Sequence, residues 1–228
     1  MPRYFMGSTR LSGLERMMMT PPNFTPRGHG KRRSNFRYKP KDVDCQYCAN
    51  YDKKNPCPLD QCVCLEERIE AGVLDLFEFV RDRFGAAWAA QLQKRLEKYL
   101  SRKDAGFFLH DAHRERWKLC LDRHYQMNKA ALFLLTAYED IWSRMVWAAN
   151  TKGPRLLSVR LSGIRPELYC VYQAARAIYS GTRGITAADL ADPELVSDEA
   201  FQLIITALLL DKYGNAILKF DEKRGDTI

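Results

Sequence analysis

Five of the seven cysteines in this 228-residue chain fall within one stretch of twenty residues: Cys45, Cys48, Cys57, Cys62 and Cys64. The order is Cys-x-x-Cys, eight residues, Cys, four residues, Cys-x-Cys, running directly into Leu65-Glu66-Glu67-Arg68-Ile69. Packing does not explain such a density of thiols, because the intervening Lys53-Lys54-Asn55-Pro56 offers no core in which to bury them. A tetrahedral zinc ion explains it: four thiolates saturate the metal, which then substitutes for the missing hydrophobic core by closing the loop. The Cys-x-x-Cys turn aims two sulfurs at one point, which makes Cys45 and Cys48 the first pair. The second pair is drawn from Cys57, Cys62 and Cys64, with Cys57 beside either of the other two. Iron–sulfur ligation is set aside because the spacing fits neither common ferredoxin pattern.

An all-cysteine zinc site is normally closed and structural. A nucleobase deaminase would need a Glu two residues after a first ligand and a Pro-Cys-x-x-Cys run downstream, whereas Pro56-Cys57 is followed by a four-residue gap. The cofactor expected is therefore Zn2+ in a structural role. His110 and His113 are three apart beside Asp111 and Glu115, which is half of a metal site or an acid–base pair; beside Arg114 and Arg116 they read as surface polar residues.

The net charge of +8 is concentrated at one end. Residues 1–41 hold ten Lys or Arg against Glu15 alone, a balance of +9, which leaves the remainder near neutral. Pro21-Pro22, Pro26, Gly28, Gly30 and Pro40 interrupt any regular element there, so residues 1–41 read as a flexible, largely disordered basic arm. Within it Lys31, Arg32, Arg33, Arg37 and Lys39 are placed to grip phosphates and displace counterions, with Phe36 and Tyr38 interleaved to stack on bases. Nucleic acid is the partner this pattern fits. The other readings are a solvated tail that merely touches neighbours, or an arm that docks on an acidic protein; Met17–Met19 is a patch a protein-binding module would use.

The zinc module spans 42–72, with a short helix from near Leu65 to Gly72. From 73 to 228 the apolar spacing is helical and predicts an all-α helical bundle. Val73, Leu76, Phe77, Val80 and Phe84 form one stripe; Trp88, Leu92, Leu96 and Tyr99 form the next, with Lys94, Arg95, Glu97 and Lys98 opposite. A third helix is expected over His110–His124, with Trp117, Cys120 and Leu121 inward. A fourth, Asn128–Asn150, is apolar on most faces and reads as central. Pro166 at a first helical position starts another running to Ser180, with Tyr169, Tyr172, Ala175 and Ile178 on one face and Cys170 read as a core thiol. Leu156–Leu161 alternates weakly, as a short extended piece would. Thr186-x-x-Asp189 resembles a capping box, Asp192-Pro193-Glu194 reads as a further helix start, and the last helix covers Asp198–Tyr213 up to Gly214.

No run reaches the roughly 18 uninterrupted apolar residues of a membrane span, and Arg3, Arg10 and Arg16 interrupt any signal core. The sequence reading is a cytoplasmic protein whose reducing surroundings favour metal thiolates over disulfides. The chain holds no Walker A loop, no Gly-x-Gly-x-x-Gly and no Gly-x-Ser-x-Gly elbow, so neither an enzyme nor a small-molecule substrate is indicated.

Cys45-Gln-Tyr-Cys48, Cys57-Pro-Leu-Asp-Gln-Cys62-Val-Cys64 and the following Leu-Glu-Glu-Arg-Ile-Glu-Ala-Gly72 resemble a cysteine-rich segment of accessory proteins carried on conjugative and mobilisable elements of gut Firmicutes. The stretch from Gly163-Ile-Arg-Pro-Glu to Leu209 is similar to the same group, and the likeness covers about a third of the chain. The resemblance implies a mobile-element context and no established reaction. The function expected is a non-enzymatic, zinc-stabilised accessory protein that binds nucleic acid. The alternative is a protein-binding adaptor, or an inhibitor of a host nuclease or defence complex, presenting Tyr169 and Tyr172.

Overall fold

The structure is a computed structural model that describes residues 38–48, 52, 54, 57–85, 90–102, 106–122, 127–147, 149–150, 153–154, 161–182 and 184–221. The chain divides into two compact units, Met1–Glu78 and Phe79–Ile228. The architecture is all-α, as the periodicity predicts; the only strands among the described residues are β1 (Ala149–Asn150) and β2 (Gly153–Pro154), two residues each and antiparallel. Of the expected extended piece at Leu156–Leu161, all but Leu161 lies outside the described residues.

In the first unit three single 3-10 turns, Pro40–Asp42, Cys45–Tyr47 and Leu59–Gln61, precede helix α1 (Leu65–Ala71). Gly72 ends α1 at φ 78°, a left-handed conformation that costs glycine nothing and lets Gly72 and Val73 N–H groups reach the last open carbonyls. Leu65, Ile69 and Leu74 are buried. Helix α2 (Leu76–Phe84) starts later than the stripe from Val73 suggests. Asp75 and Glu78 explain the delay: each side chain accepts from the other's backbone N–H, at 2.8 and 2.9 Å, forming a capping box that fixes Leu76 as the first helical residue. The buried face is then Leu76, Phe79 and Val80, while Phe77 is 53% exposed.

The second unit is built round α5 (Lys129–Leu135), whose residues from Ala130 to Leu135 are all buried. It packs on α7 (Pro166–Ser180) and α9 (Asp198–Tyr213), which also pack on each other. Helix α4 (Asp111–Asp122) and α6 (Glu139–Trp147) flank α5, and α3 (Ala90–Leu100) meets the short α8 (Ala187–Ala191). The expected single helix over Asn128–Asn150 is in fact two, α5 and α6. Thr136 makes the break: its hydroxyl donates back to Leu132 and Phe133 carbonyls at 2.8 and 3.1 Å, and Arg116 takes the carbonyls of Thr136 and Ala137.

Other boundaries follow local chemistry. Thr186 and Asp189 form the capping box that starts α8, with the Asp189 N–H donating to Thr186 Oγ1 at 3.1 Å. Asp192 does not start a helix. Its carboxylate accepts from Glu194 and Leu195 N–H groups in a turn, and Ser197 caps α9 instead. On α7 the buried residues are Leu168, Val171, Tyr172, Ala174 and Ala175, so Tyr169 stands outside the expected face and Cys170 is half-buried rather than core.

Asp198–Asp221 is the one stretch among the described residues long and apolar enough to cross a membrane, and 67% of its most apolar window is buried inside the protein, the pattern of a core helix. Tyr213 near its end donates to the Phe79 carbonyl and to the Asp82 carboxylate, and its ring meets Phe79 edge-on at 4.8 Å.

Gly184 has a different reason to be glycine. A Cβ there would lie 2.4 Å from Ala177 Cβ on α7. Gly184→Ala is expected to destabilise the fold by about 1–3 kcal/mol through overpacking, read as a lower urea midpoint with an unchanged slope.

Candidate metal centre

All five clustered cysteines fall in or beside the turns of the first unit or at the start of α1. Asp44 sets the first: its carboxylate accepts from Gln46 N–H at 3.0 Å and from Gln46 Nε2 at 2.7 Å. The following 3-10 turn, Cys45–Tyr47, closes with Cys48 N–H donating to the Cys45 carbonyl at 2.9 Å. That is the tight reversal a Cys-x-x-Cys pair needs. The second turn begins at Pro58, whose fixed φ suits entry, and closes with Cys62 N–H donating to Leu59 O at 3.2 Å. Cys57 lies just before it, its thiol 3.6 Å from the Pro58 carbonyl. Cys64 immediately precedes α1, and its carbonyl accepts from Arg68 N–H at 3.0 Å.

Cys45 and Cys57 are exposed, while Cys48, Cys62 and Cys64 are half-buried. The Cys57 thiol is held above its ordinary range, first by lost hydration and then by Cys62, Cys48 and Cys45, with Arg68 opposing. Burial pushes the Cys64 thiol up to about 11, and Glu67, Cys62, Cys48 and Cys45 add to it. These thiols therefore feel one another's charge, and a divalent cation placed among them would invert that repulsion by drawing off their protons. Among the described residues, no three His, Cys, Asp or Glu side chains are gathered into a metal-holding group. The donor chemistry still suits zinc, since thiolates are its preferred ligands in closed sites.

Arg68, which the sequence reading does not single out, reaches this group. Its Nη1 donates to Cys62 Sγ at 3.8 Å, within range for a sulfur acceptor. No local pattern singles it out: Arg68 lies in the last turn of α1, and its approach to Cys62 depends on how the preceding loop folds back.

Of the basic arm, Lys31, Arg32, Arg33, Phe36 and Arg37 lie outside the described residues. Tyr38 is half-buried, and Lys39 is exposed with its backbone N–H donating to Asp42 at 2.9 Å, which anchors the arm's end to the first 3-10 turn.

Of the two histidines, His110 is exposed as the surface reading expects, and His113 is not. His113 is fully buried. Leu109 N–H donates to its Nδ1 at 3.1 Å, which leaves Nε2 as the protonated nitrogen facing the Phe133 carbonyl at 2.8 Å. His110 Nδ1 accepts from His113 N–H at 3.0 Å and so caps the start of α4. With both nitrogens of His113 engaged, the pair closes backbone ends and has no lone pair to offer a metal.

Arg95 is likewise not on the solvent side of α3; it is 9% exposed. It donates to the carbonyls of Leu190, Asp192 and Val196 at 2.7, 3.3 and 2.6 Å and to Asp198 at 3.3 Å. It borders an open hollow of about 590 Å³ walled by Tyr99, Phe108 and Phe201. The charged groups there hold the fold together: Lys98 pairs with Asp198, and Glu199 accepts from Tyr138, whose phenol is pushed above its ordinary range by burial and by that carboxylate.

No protein-family model, no curated protein and no solved structure matches this chain.

Proposed function

We propose that this chain is a non-enzymatic, zinc-stabilised accessory protein of a mobile genetic element, acting in the cytoplasm and binding nucleic acid through its basic arm. The observation supporting the zinc is the placing of Cys45 and Cys48 on one closed 3-10 turn, of Cys57 and Cys62 on either side of a second and of Cys64 at the N-cap of α1, with Arg68 donating to one sulfur. Zinc draws residues 45–64 into a fixed shape, and the helical unit supplies a rigid body. Lys31, Arg32, Arg33, Arg37 and Lys39 neutralise phosphates, while Phe36 and Tyr38 stack on bases. The mobile-element setting rests on the resemblance of the cysteine segment.

Titration of fluorescent single- and double-stranded oligonucleotides at several salt concentrations tests the nucleic-acid part. Expected is a log–log slope of roughly −0.7 to −0.9 per phosphate contacted, with binding lost on deletion of residues 1–41. Salt-insensitive binding, or full binding by the deleted chain, sinks it.

One observation favours a protein-binding adaptor as the second reading. Tyr169, on α7, is 48% exposed and Leu195 is 49% exposed, a start for an aromatic contact surface; Tyr172 is buried and drops out of it. A partner retained on the immobilised protein after nuclease treatment supports this reading over the first.

A further inference from the structure

We propose that the zinc ligands are Cys45, Cys48, Cys57 and Cys62, that Cys64 stands outside the set, and that Arg68 is a positioning residue which hydrogen-bonds the Cys62 sulfur. This rests on the zinc reading above and decides what that reading leaves open.

The geometry favours Cys62 over Cys64 in two ways. First, Arg68 donates to Cys62 Sγ at 3.8 Å, and its Nε is buried with no hydrogen-bond partner among the described residues. Second, Cys62 ends a 3-10 turn in extended backbone (φ −72°, ψ 113°), just as Cys48 ends the first turn (φ −76°, ψ 137°). The two turns present corresponding residues. Cys64 instead stands at the N-cap of α1 (φ −110°, ψ 30°), with its carbonyl tied into the helix.

Charge gives the reason. Four cysteine thiols lose four protons as four Zn–S bonds form, so a Zn2+ ion with four thiolates carries a net charge of −2. A guanidinium against one thiolate offsets half of that and fixes the direction of the sulfur lone pair, the outer-shell role that orients metal ligands elsewhere.

Cobalt(II) titration of the full-length wild-type chain and of its single Cys→Ser variants tests the assignment, because the sulfur-to-cobalt absorption counts the thiolates bound. Cys64→Ser is expected to keep the wild-type tetrathiolate spectrum and one-to-one stoichiometry. Cys45→Ser, Cys48→Ser, Cys57→Ser and Cys62→Ser are each expected to lose part of that absorption. Arg68→Gln is expected to keep the spectrum and weaken the metal affinity by about 10- to 100-fold, the usual cost of an outer-shell partner.

A Cys62→Ser chain that keeps the full spectrum while Cys64→Ser loses it overturns the ligand set and leaves the zinc reading standing. So does equal loss in both variants. Unchanged affinity in Arg68→Gln overturns the positioning role. A wild-type chain that binds no cobalt or zinc overturns the zinc reading itself. Should a substituted chain fail to fold, prolonged alkylation of the zinc-loaded wild type at alkaline pH, where a free half-buried thiol still reacts, followed by peptide mass spectrometry decides the same question. Cys64 is expected to be modified while the four ligands are protected; protection of Cys64 with modification of Cys62 reverses the assignment.

Discussion

Replacing Arg95 with alanine is expected to lower the folding stability of the protein by about 3–5 kcal/mol, the cost of removing one side of a buried charge-assisted network. The loss has three parts. The carbonyls of Leu190 and Val196 lose donors at 2.7 and 2.6 Å, and that of Asp192 loses one at 3.3 Å. Asp198 is left with Lys98 alone. The guanidinium also leaves the face of Phe201, over which it sits 4.3 Å from the ring centroid. An unsatisfied buried carbonyl costs about 1–3 kcal/mol, so the carbonyls dominate and the cation–π contact, roughly 1 kcal/mol, is secondary. Against a total stability of about 5–15 kcal/mol, this is enough to make the variant marginal. Arg95→Met separates the causes, because methionine keeps the apolar stem and loses every donor; it is expected to retain most of the destabilisation. Urea unfolding followed by far-ultraviolet circular dichroism reads both. An Arg95→Met chain within about 1 kcal/mol of wild type would mean that the junction of α8 and α9 holds without these hydrogen bonds.

Arg95 also marks where the sequence could be read and where it could not. Its neighbours Leu92, Leu96 and Tyr99 are buried as the stripe predicts, and position 95 lies on the same face by helical geometry. A charge at such a position is assigned to solvent by residue type, yet here the carbonyls at the end of α8 and the entry to α9 demand a donor. Their arrangement depends on residues about a hundred positions away, which no local pattern encodes. The break between α5 and α6 was hidden for the same reason: Arg116, from α4, takes the carbonyls that a continuous helix would have used. Elements whose ends are set by their own residues were legible. α7 spans Pro166–Ser180 and α9 spans Asp198–Tyr213, both as read from Pro166 and Gly214. Of the candidate metal centre, the five cysteines are evident from spacing alone. Arg68 is not, because its approach to Cys62 depends on how the second turn folds back towards α1.

Acid is expected to weaken the fold in a window that belongs to His113. Burial holds its imidazole far below the ordinary range, to about 3, although the Phe133 carbonyl pulls the other way; Arg116 and His110 add to the depression. The unfolded chain has an ordinary histidine near 6.5 and takes up a proton as the pH falls below that value, whereas the folded chain does not. Stability is therefore fully present above about pH 6.5 and declines at about 1.4 kcal/mol per pH unit below it, a loss of about 3 kcal/mol by pH 4. The carboxylates of Asp82, Asp189 and Asp198, all held below their usual range by hydrogen bonds, contribute stability that acid removes in the same direction but in a lower window. It is present above their unfolded value near 3.8 and is lost only below it, so the two effects separate on the pH axis. Urea midpoints measured from pH 7.5 to 4 are expected to fall steadily in the wild type. His113→Gln replaces the titrating ring with a neutral amide and is expected to start lower at pH 7.5 but to run nearly level across the window. A His113→Gln chain that loses stability as steeply as the wild type between pH 6.5 and 4 would place the acid sensitivity elsewhere, and would remove the case that a neutral, buried imidazole closes the end of α5.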